Sequence, residues 1–189
     1  MKYKANTPPT SSIRYIGLYQ WMQSWISMFL PIMLILTFIG QPIAVGGYSM
    51  APTLVDGDQM IVRSIFYTPR RGDAIVFVRH DLLDGEQLVK RVIAVAGDVV
   101  DINTATGTVY VNGLALDEPY ASEPISQAGN ISYPHTVPPG YVFVLGDNRS
   151  PFGSLDSRDA SLGLVDEREI LGRVVAVSLP LNRARLFLR

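Results

Sequence analysis

A long stretch without charge sets the first constraint on this chain. Between Arg14 and Asp56 no side chain is acidic or basic, and residues 21–39 are the most apolar part. As a helix rising ~1.5 Å per residue, that part would span roughly 28 Å, close to the hydrocarbon thickness of a bilayer. Aromatic residues gather near its N-terminal end, as they do at the headgroup level: Tyr15, Tyr19, Trp21 and Trp25. The stretch predicts a transmembrane helix over residues 15–40 and a lipid bilayer as a partner.

The basic residues that flank this run lie only on its N-terminal side: Lys2, Lys4 and Arg14. By the positive-inside rule, residues 1–14 form a cytoplasmic tail and residues 41–189 an extracytoplasmic domain. A cleaved signal peptide, ending in the small residues 44–46, is one alternative. A buried core helix is another, although such uniform apolarity is unusual in a soluble helix. A retained anchor is favoured because the run reaches the upper length of a signal-peptide core.

Charge and cysteine content exclude several classes of function. The formal net charge is −1, so no global basic character points to a nucleic-acid partner. The chain has no cysteine, which excludes thiol catalysis, disulfides and cysteine-ligated metals.

Short runs rich in β-branched residues, separated by turn residues, fill the chain after residue 40. The clearest turn is Asn112-Gly113, which lies between two apolar runs and is typical of a type I′ hairpin. Without long helical patterns between them, these runs predict a mainly β domain, built as an antiparallel sheet or barrel. Residues 103–140 are richer in Pro, Ser, Asn and Gly, which indicates a peripheral insertion of hairpin and loops.

A serine in a glycine-rich loop is the first candidate catalytic residue. Gly46 and Gly47 precede Ser49, and Pro52 follows it. The glycines would let the backbone approach a bound peptide closely, and the Ser49 backbone N–H could face a developing oxyanion. A serine needs a neighbouring base to become a nucleophile.

The distribution of lysine suggests that base. Of the 16 basic residues only three are lysines, and only Lys90 lies beyond the N-terminal tail. Arginine cannot lose its proton in a protein, whereas a lysine can when it is buried. Lys90 lies within the apolar run "QLVKRVIAV", where loss of solvent would lower its pKa towards that of a general base. A lysine on a strand edge remains the structural alternative.

Four sequence segments together resemble the bacterial type I signal peptidase family, the membrane-bound serine endopeptidases that remove signal peptides. They occur in the family's order behind the N-terminal apolar run, and "ILGRV" follows the last of them. The segments are "SMAPTL" (49–54), "RRGDAIVF" (70–77), "KRVIAVAGD" (90–98) and "GDNRSPFGSLDSR" (146–158).

The resemblance implies a Ser/Lys dyad in an antiparallel β catalytic domain, with Ser49 as the nucleophile and Lys90 as the general base. It implies that Ser154 orients the lysine and that Asp156 and Arg158 stabilise the site. The substrates would be preprotein signal peptides, cleaved through an ester acyl-enzyme without a metal or cofactor. The location would be the bacterial plasma membrane, with a single span.

The resemblance also implies a pocket for small side chains, carried over onto Val45, Leu54 and Val89. Two features depart from the family pattern. The spacing between Arg149 and Ser154 is longer by two residues, so Ser150 is a rival for orienting the lysine. Gly47 stands where some members have a hydroxyl that helps to bind the oxyanion, so the second oxyanion donor is not identified.

Two other functions stay open from the sequence. The first is a self-cleaving regulator of the Ser/Lys type, whose substrate would be its own chain. The second is a non-catalytic, membrane-tethered β-domain that binds exported peptides. Cleavage of an added preprotein, read by sequencing the new N-terminus, would separate these from a signal peptidase.

Overall fold

The computed structural model describes residues 10–38, 40–80 and 85–187, and most of the predicted tail 1–14 lies outside them. The first element is a helix of 29 residues, α1 (Thr10–Phe38), which contains Pro31. The indole rings of Trp21 and Trp25 meet edge to face, with centroids 5.8 Å apart.

No helix in the described ranges combines the length and apolarity that crossing a membrane requires. The transmembrane helix predicted over residues 15–40 includes residue 39, which lies outside the described residues, and it stays a prediction. Four polar side chains lie together on one side of α1: Gln20, Gln23, Ser24 and Ser27.

The rest of the described chain is mainly antiparallel β structure, as predicted, and forms two sheets. The larger sheet has eight strands in the spatial order β1-β2-β11-β3-β4-β9-β10, with β12 paired to β11. Its strands are β1 (Gln41–Ala44), β2 (Gln59–Arg63), β3 (Ala74–Val78), β4 (Gln87–Ala94), β9 (Tyr141–Leu145), β10 (Val165–Asp166), β11 (Ile170–Leu179) and β12 (Arg185–Leu186). Short 3₁₀ turns at Glu167–Glu169 and Leu181–Arg183 flank β11.

The smaller sheet has four strands in the order β7-β6-β5-β8. They are β5 (Val99–Asn103), β6 (Thr108–Val111), β7 (Leu114–Ala115) and β8 (His135–Thr136). Asn112 and Gly113 join β6 to β7 with φ of 53° and 76°, the two positive values that a type I′ turn needs. Both strand orders have free ends, so within the described ranges the strands form open sheets and not a barrel.

Side chains from the loop after β1 anchor that loop in the core of the larger sheet. Met50 and Leu54 are 1% and 0% exposed, and they belong to a buried cluster with Met60 of β2 and Val174 of β11. Burying such a side chain contributes about 1.5–3 kcal/mol to stability. The loop that carries Ser49 is therefore fixed to the sheet immediately after the serine.

Candidate active site

Ser49 and Lys90 lie in direct contact. Ser49 is partly buried in the loop after β1, and Lys90 lies in β4 opposite Ile75 of β3. The Lys90 Nζ is 2.6 Å from the Ser49 Oγ, which is hydrogen-bonding distance. The fold thus brings together two residues 41 positions apart, a hydroxyl and the one amine group on a side chain of the β-domain.

Burial makes Lys90 able to act as a base near neutral pH. The residue is only 2% exposed. Loss of solvent lowers the pKa of Lys90 from 10.5 to about 8, against the opposing charges of Asp156 and Asp147. A lysine with such a pKa is neutral in an appreciable fraction of molecules at pH 7–8 and largely neutral above it.

The two carboxylates that act on Lys90 are each held by a guanidinium. Arg91 binds both oxygens of the fully buried Asp147 at 2.7 and 2.5 Å. Arg158 binds both oxygens of Asp156 at 2.8 Å each. Bidentate pairing offsets the negative charge of each carboxylate, so neither acid stabilises the charged form of Lys90 as strongly as an unpaired one would.

Asp156 also connects this charge pair to the backbone near the serine. Its Oδ2 accepts a hydrogen bond from the Gly146 N–H at 3.1 Å. A Cβ at Gly146 would clash with the Ser154 Oγ and with the Ser49 carbonyl oxygen, so only glycine fits between them. Ser154 and Asp156 therefore lie next to Gly146, which packs against the backbone of Ser49, and Arg158 is bound to Asp156.

The two serines that compete for the lysine-orienting role differ in their contacts. Within the described ranges the buried Ser154 Oγ has no hydrogen-bond partner. The Ser150 hydroxyl, in contrast, donates to the Asn148 Oδ1 at 2.5 Å. Neither hydroxyl has a hydrogen bond to Lys90 among the described contacts, so the orienting role implied for Ser154 stays a prediction, with its hydroxyl uncommitted and that of Ser150 engaged.

The backbone donors of the serine loop are unequal. The Gly47 N–H donates to the Asp56 carboxylate at 2.9 Å. The Ser49 N–H has no acceptor among the residues that the structure describes. Of these two donors, the Ser49 N–H is thus the one free to bind a developing oxyanion.

A small cavity of about 40 Å³ opens beside the two residues. Val45 and Val89 line it, as the resemblance implied, together with Ile43, Met60 and Leu88. Leu54 lies in the core below and is not in its wall. Because an apolar cavity of about 150 Å³ holds a benzene molecule, this cavity suits a much smaller group, such as a methyl.

Another, larger cavity of about 430 Å³ is lined by arginines and contains neither Ser49 nor Lys90: Arg70, Arg71, Arg91 and Arg173. It offers no nucleophile, so the small cavity is the candidate substrate pocket. Among the described residues, no group of three or more His, Asp or Glu side chains is placed to hold a metal ion.

The strand that carries Lys90 has one open edge next to the cavity. Residues 87–91 pair with β3 on one side. On the other side, pairing with β9 begins only at Arg91. Backbone groups of residues 87–90 on that side are not paired with a strand in the described ranges, which leaves an edge for an extended peptide.

Arg91, Asp147 and Asn148 belong to the site but were not identified as site residues from the sequence. Arg91 follows Lys90 directly in an apolar strand, and Asp147 and Asn148 follow the buried strand β9. A charged residue inside an apolar run is a sign of a buried ion pair. From this pattern Arg91 and Asp147 could each have been predicted to be buried charges, but the pattern does not predict that they pair with each other.

The family model described as "Signal peptidase, peptidase S26" matches residues 18–179. The signal peptidase I of Bacillus licheniformis is 34% identical in an alignment of 193 positions that covers 95% of this chain and 98% of that protein. Signal peptidase I T of Bacillus subtilis is 33% identical over 194 residues, covering 95% of each. A solved signal peptidase I structure from Enterococcus faecalis V583 is 31% identical, with a TM-score of 0.46, and covers 57% of this chain and 97% of its own.

Proposed function

The chain belongs to the signal peptidase S26 family, and from that premise we propose that it removes signal peptides from preproteins with a Ser49–Lys90 dyad. The observation that carries the proposal is the 2.6 Å contact between the Ser49 Oγ and an almost fully buried lysine amine. A buried lysine with a lowered pKa next to a hydroxyl is a recognised way to activate a serine. Location on the outer side of the plasma membrane stays a prediction from the charge distribution.

The first half of the reaction forms an ester on Ser49. The neutral Lys90 amine takes the hydroxyl proton as the Ser49 Oγ bonds to the scissile carbonyl carbon. The carbonyl oxygen becomes an oxyanion, which the free Ser49 N–H stabilises. The Lys90 ammonium then gives its proton to the leaving nitrogen, the C–N bond breaks, and the mature chain leaves with a new amino terminus.

The second half returns the enzyme to its starting form. Lys90, neutral again, takes a proton from a water molecule whose oxygen bonds to the ester carbon. The resulting tetrahedral species breaks its bond to the Ser49 Oγ, which recovers a proton from Lys90. Once Lys90 is an ammonium, the Ser154 hydroxyl, which has no hydrogen-bond partner in the described ranges, would accept a hydrogen bond from it and hold the amine towards Ser49.

The cavity and the open strand edge support the substrate class. An extended peptide laid along residues 87–90 would form backbone hydrogen bonds that do not depend on its sequence. Its side chain at the cleavage site would enter the 40 Å³ cavity, whose small size favours alanine over a large residue. The pairing gives general affinity, and the cavity supplies selection for a small residue.

The proposal is tested by incubating the purified protein with a preprotein whose cleavage site has the form Ala-x-Ala. Sequencing the product should give one new N-terminus, directly after the second alanine. A matched preprotein with leucine in place of that alanine should stay intact, because leucine exceeds the cavity. An intact Ala-x-Ala preprotein would refute the proposal, and cleavage confined to the protein's own chain would favour the self-cleaving regulator.

In the same assay, kcat/KM should depend on pH as expected for an enzyme that needs a neutral lysine as its base. Only neutral Lys90 can take the Ser49 proton, so kcat/KM should rise with pH through about 8 and level off above it. Activity should fall roughly tenfold for each unit below the pKa of Lys90, because the neutral fraction falls by that factor. A flat profile between about pH 5 and 9 would point to another base.

A further inference from the structure

Asn148 contacts both carbonyl groups on either side of the Ser49 Cα. Its side-chain Nδ2 donates to the Tyr48 carbonyl oxygen at 3.1 Å, and its backbone N–H donates to the Ser49 carbonyl oxygen at 3.1 Å. Building on the proposed function, we propose that Asn148 is a positioning residue that fixes the direction of the Ser49 N–H towards the oxyanion. This residue would act through the backbone of Ser49 and would not touch the substrate.

The planarity of the peptide unit links the two groups. The Tyr48 carbonyl and the Ser49 N–H belong to one planar, trans peptide, so they point in opposite directions. A side chain that holds the carbonyl on one side therefore fixes where the N–H points on the other. Accepting a hydrogen bond at the carbonyl also polarises the unit, which makes the N–H a stronger donor.

The neighbouring serine sets the orientation of the Asn148 amide. The Asn148 Oδ1 accepts from the Ser150 N–H at 3.2 Å and from the Ser150 hydroxyl at 2.5 Å. With its oxygen bound there, the amide must present its nitrogen to Tyr48. Gly153 makes room for this arrangement, because a Cβ there would clash with the Ser150 Oγ and the Asn148 Oδ1.

Asn148 is one of two donors to the same carbonyl. The Ala51 N–H also donates to the Tyr48 oxygen, at 3.0 Å, through the turn that carries the serine. Loss of the Asn148 amide would loosen the peptide unit without releasing it. The effect on catalysis should therefore be smaller than the loss of a whole oxyanion donor.

Asn148→Ala tests the proposal in the preprotein assay. Losing an oxyanion donor lowers kcat by about 10²–10³, so a misdirected donor should lower it by about tenfold, with KM unchanged. Binding of a peptide aldehyde ending in alanine should weaken by the same factor, because its hemiacetal oxygen on Ser49 would occupy the oxyanion site. The apparent pKa of kcat/KM should not move, since Lys90 is untouched.

Ser150→Ala is the matched control and a second test if Asn148→Ala folds poorly. It keeps the Ser150 N–H to the Asn148 Oδ1, so kcat should fall only about twofold to threefold, again with KM and the pH profile unchanged. A shifted pH profile in Ser150→Ala would assign that hydroxyl to Lys90 and overturn the proposal.

The outcomes separate this proposal from the assignment of the dyad. If wild-type protein cleaves the preprotein and Asn148→Ala matches it in kcat and aldehyde affinity, the positioning role is refuted and the dyad stands. A rise in KM at constant kcat would likewise refute it, because it would place Asn148 in substrate binding. If wild-type protein does not cleave, the proposed function itself fails.

Discussion

Replacing Ser49 with alanine is expected to abolish cleavage of a preprotein. Without the Oγ no ester can form, and removing the nucleophile of a serine protease lowers kcat by on the order of 10⁶-fold. The protein should stay folded, because Met50 and Leu54 hold the loop in the core independently of the serine. The measurement is the initial rate of preprotein cleavage, with the melting temperature recorded in parallel.

Ser126→Ala is the matched control for this variant. Ser126 is exposed, so its replacement should leave both cleavage and the melting temperature unchanged. Processing by Ser49→Ala at a rate near that of wild type would remove Ser49 as the nucleophile. The chain would still belong to the family, but its chemistry would need another hydroxyl.

Replacing Lys90 with methionine should inactivate the enzyme at every pH and yet stabilise the fold. Methionine has a similar length and no charge, so it suits the buried site that disfavours the ammonium. The pKa of Lys90 is lowered in the folded protein from 10.5 to about 8. Since one pKa unit corresponds to 1.36 kcal/mol, the buried amine lowers the free energy of unfolding by about 3 kcal/mol at neutral pH.

The pH dependence of this gain follows from proton binding. Between about pH 8 and 10.5 the unfolded chain holds the proton at this lysine and the folded chain does not, so the stability of wild type rises with pH there. Below about pH 8 the folded and the unfolded chain both hold this proton, so burial of the charged amine destabilises the wild-type protein to its full extent. Urea unfolding should therefore show Lys90→Met more stable than wild type at pH 7, and the two should converge towards pH 10.5.

Lys90→Arg is the control that separates charge from shape. It should be as inactive as Lys90→Met, because arginine keeps its proton, but it should be less stable than wild type since its buried charge cannot be released. Wild-type turnover by either variant would rule out Lys90 as the base. If Lys90→Met were destabilised to the same degree as Lys90→Arg, burial of the Lys90 amine would not be lowering the free energy of unfolding of the wild-type protein.

The sequence was sufficient to nominate the chemistry because the relevant signals are local. A serine between glycines and a proline is visible in a short window, and that Lys90 stands alone among arginines follows from a simple count over the chain. The β architecture and the Asn112-Gly113 hairpin are likewise encoded by neighbouring residues.

The remaining parts of the site depend on contacts between distant residues. Arg91 pairs with Asp147 across 56 positions, and Asn148 reaches Tyr48 across 100. Neither pairing leaves a spacing or periodicity in the sequence. Leu54 was predicted to line the pocket but lies in the core. An apolar residue near the serine can face either one, and only the packing of the folded chain decides which.

Whether the buried Lys90 amine loses its proton near neutral pH can be measured by NMR. Carbon-13 at the lysine Cε gives a simple spectrum because the chain has only three lysines, and the Lys90 signal is the one missing from Lys90→Met. If Lys90 is such a base, this signal titrates with a pKa of about 8. Titration near the unperturbed lysine value of about 10.4 would contradict it.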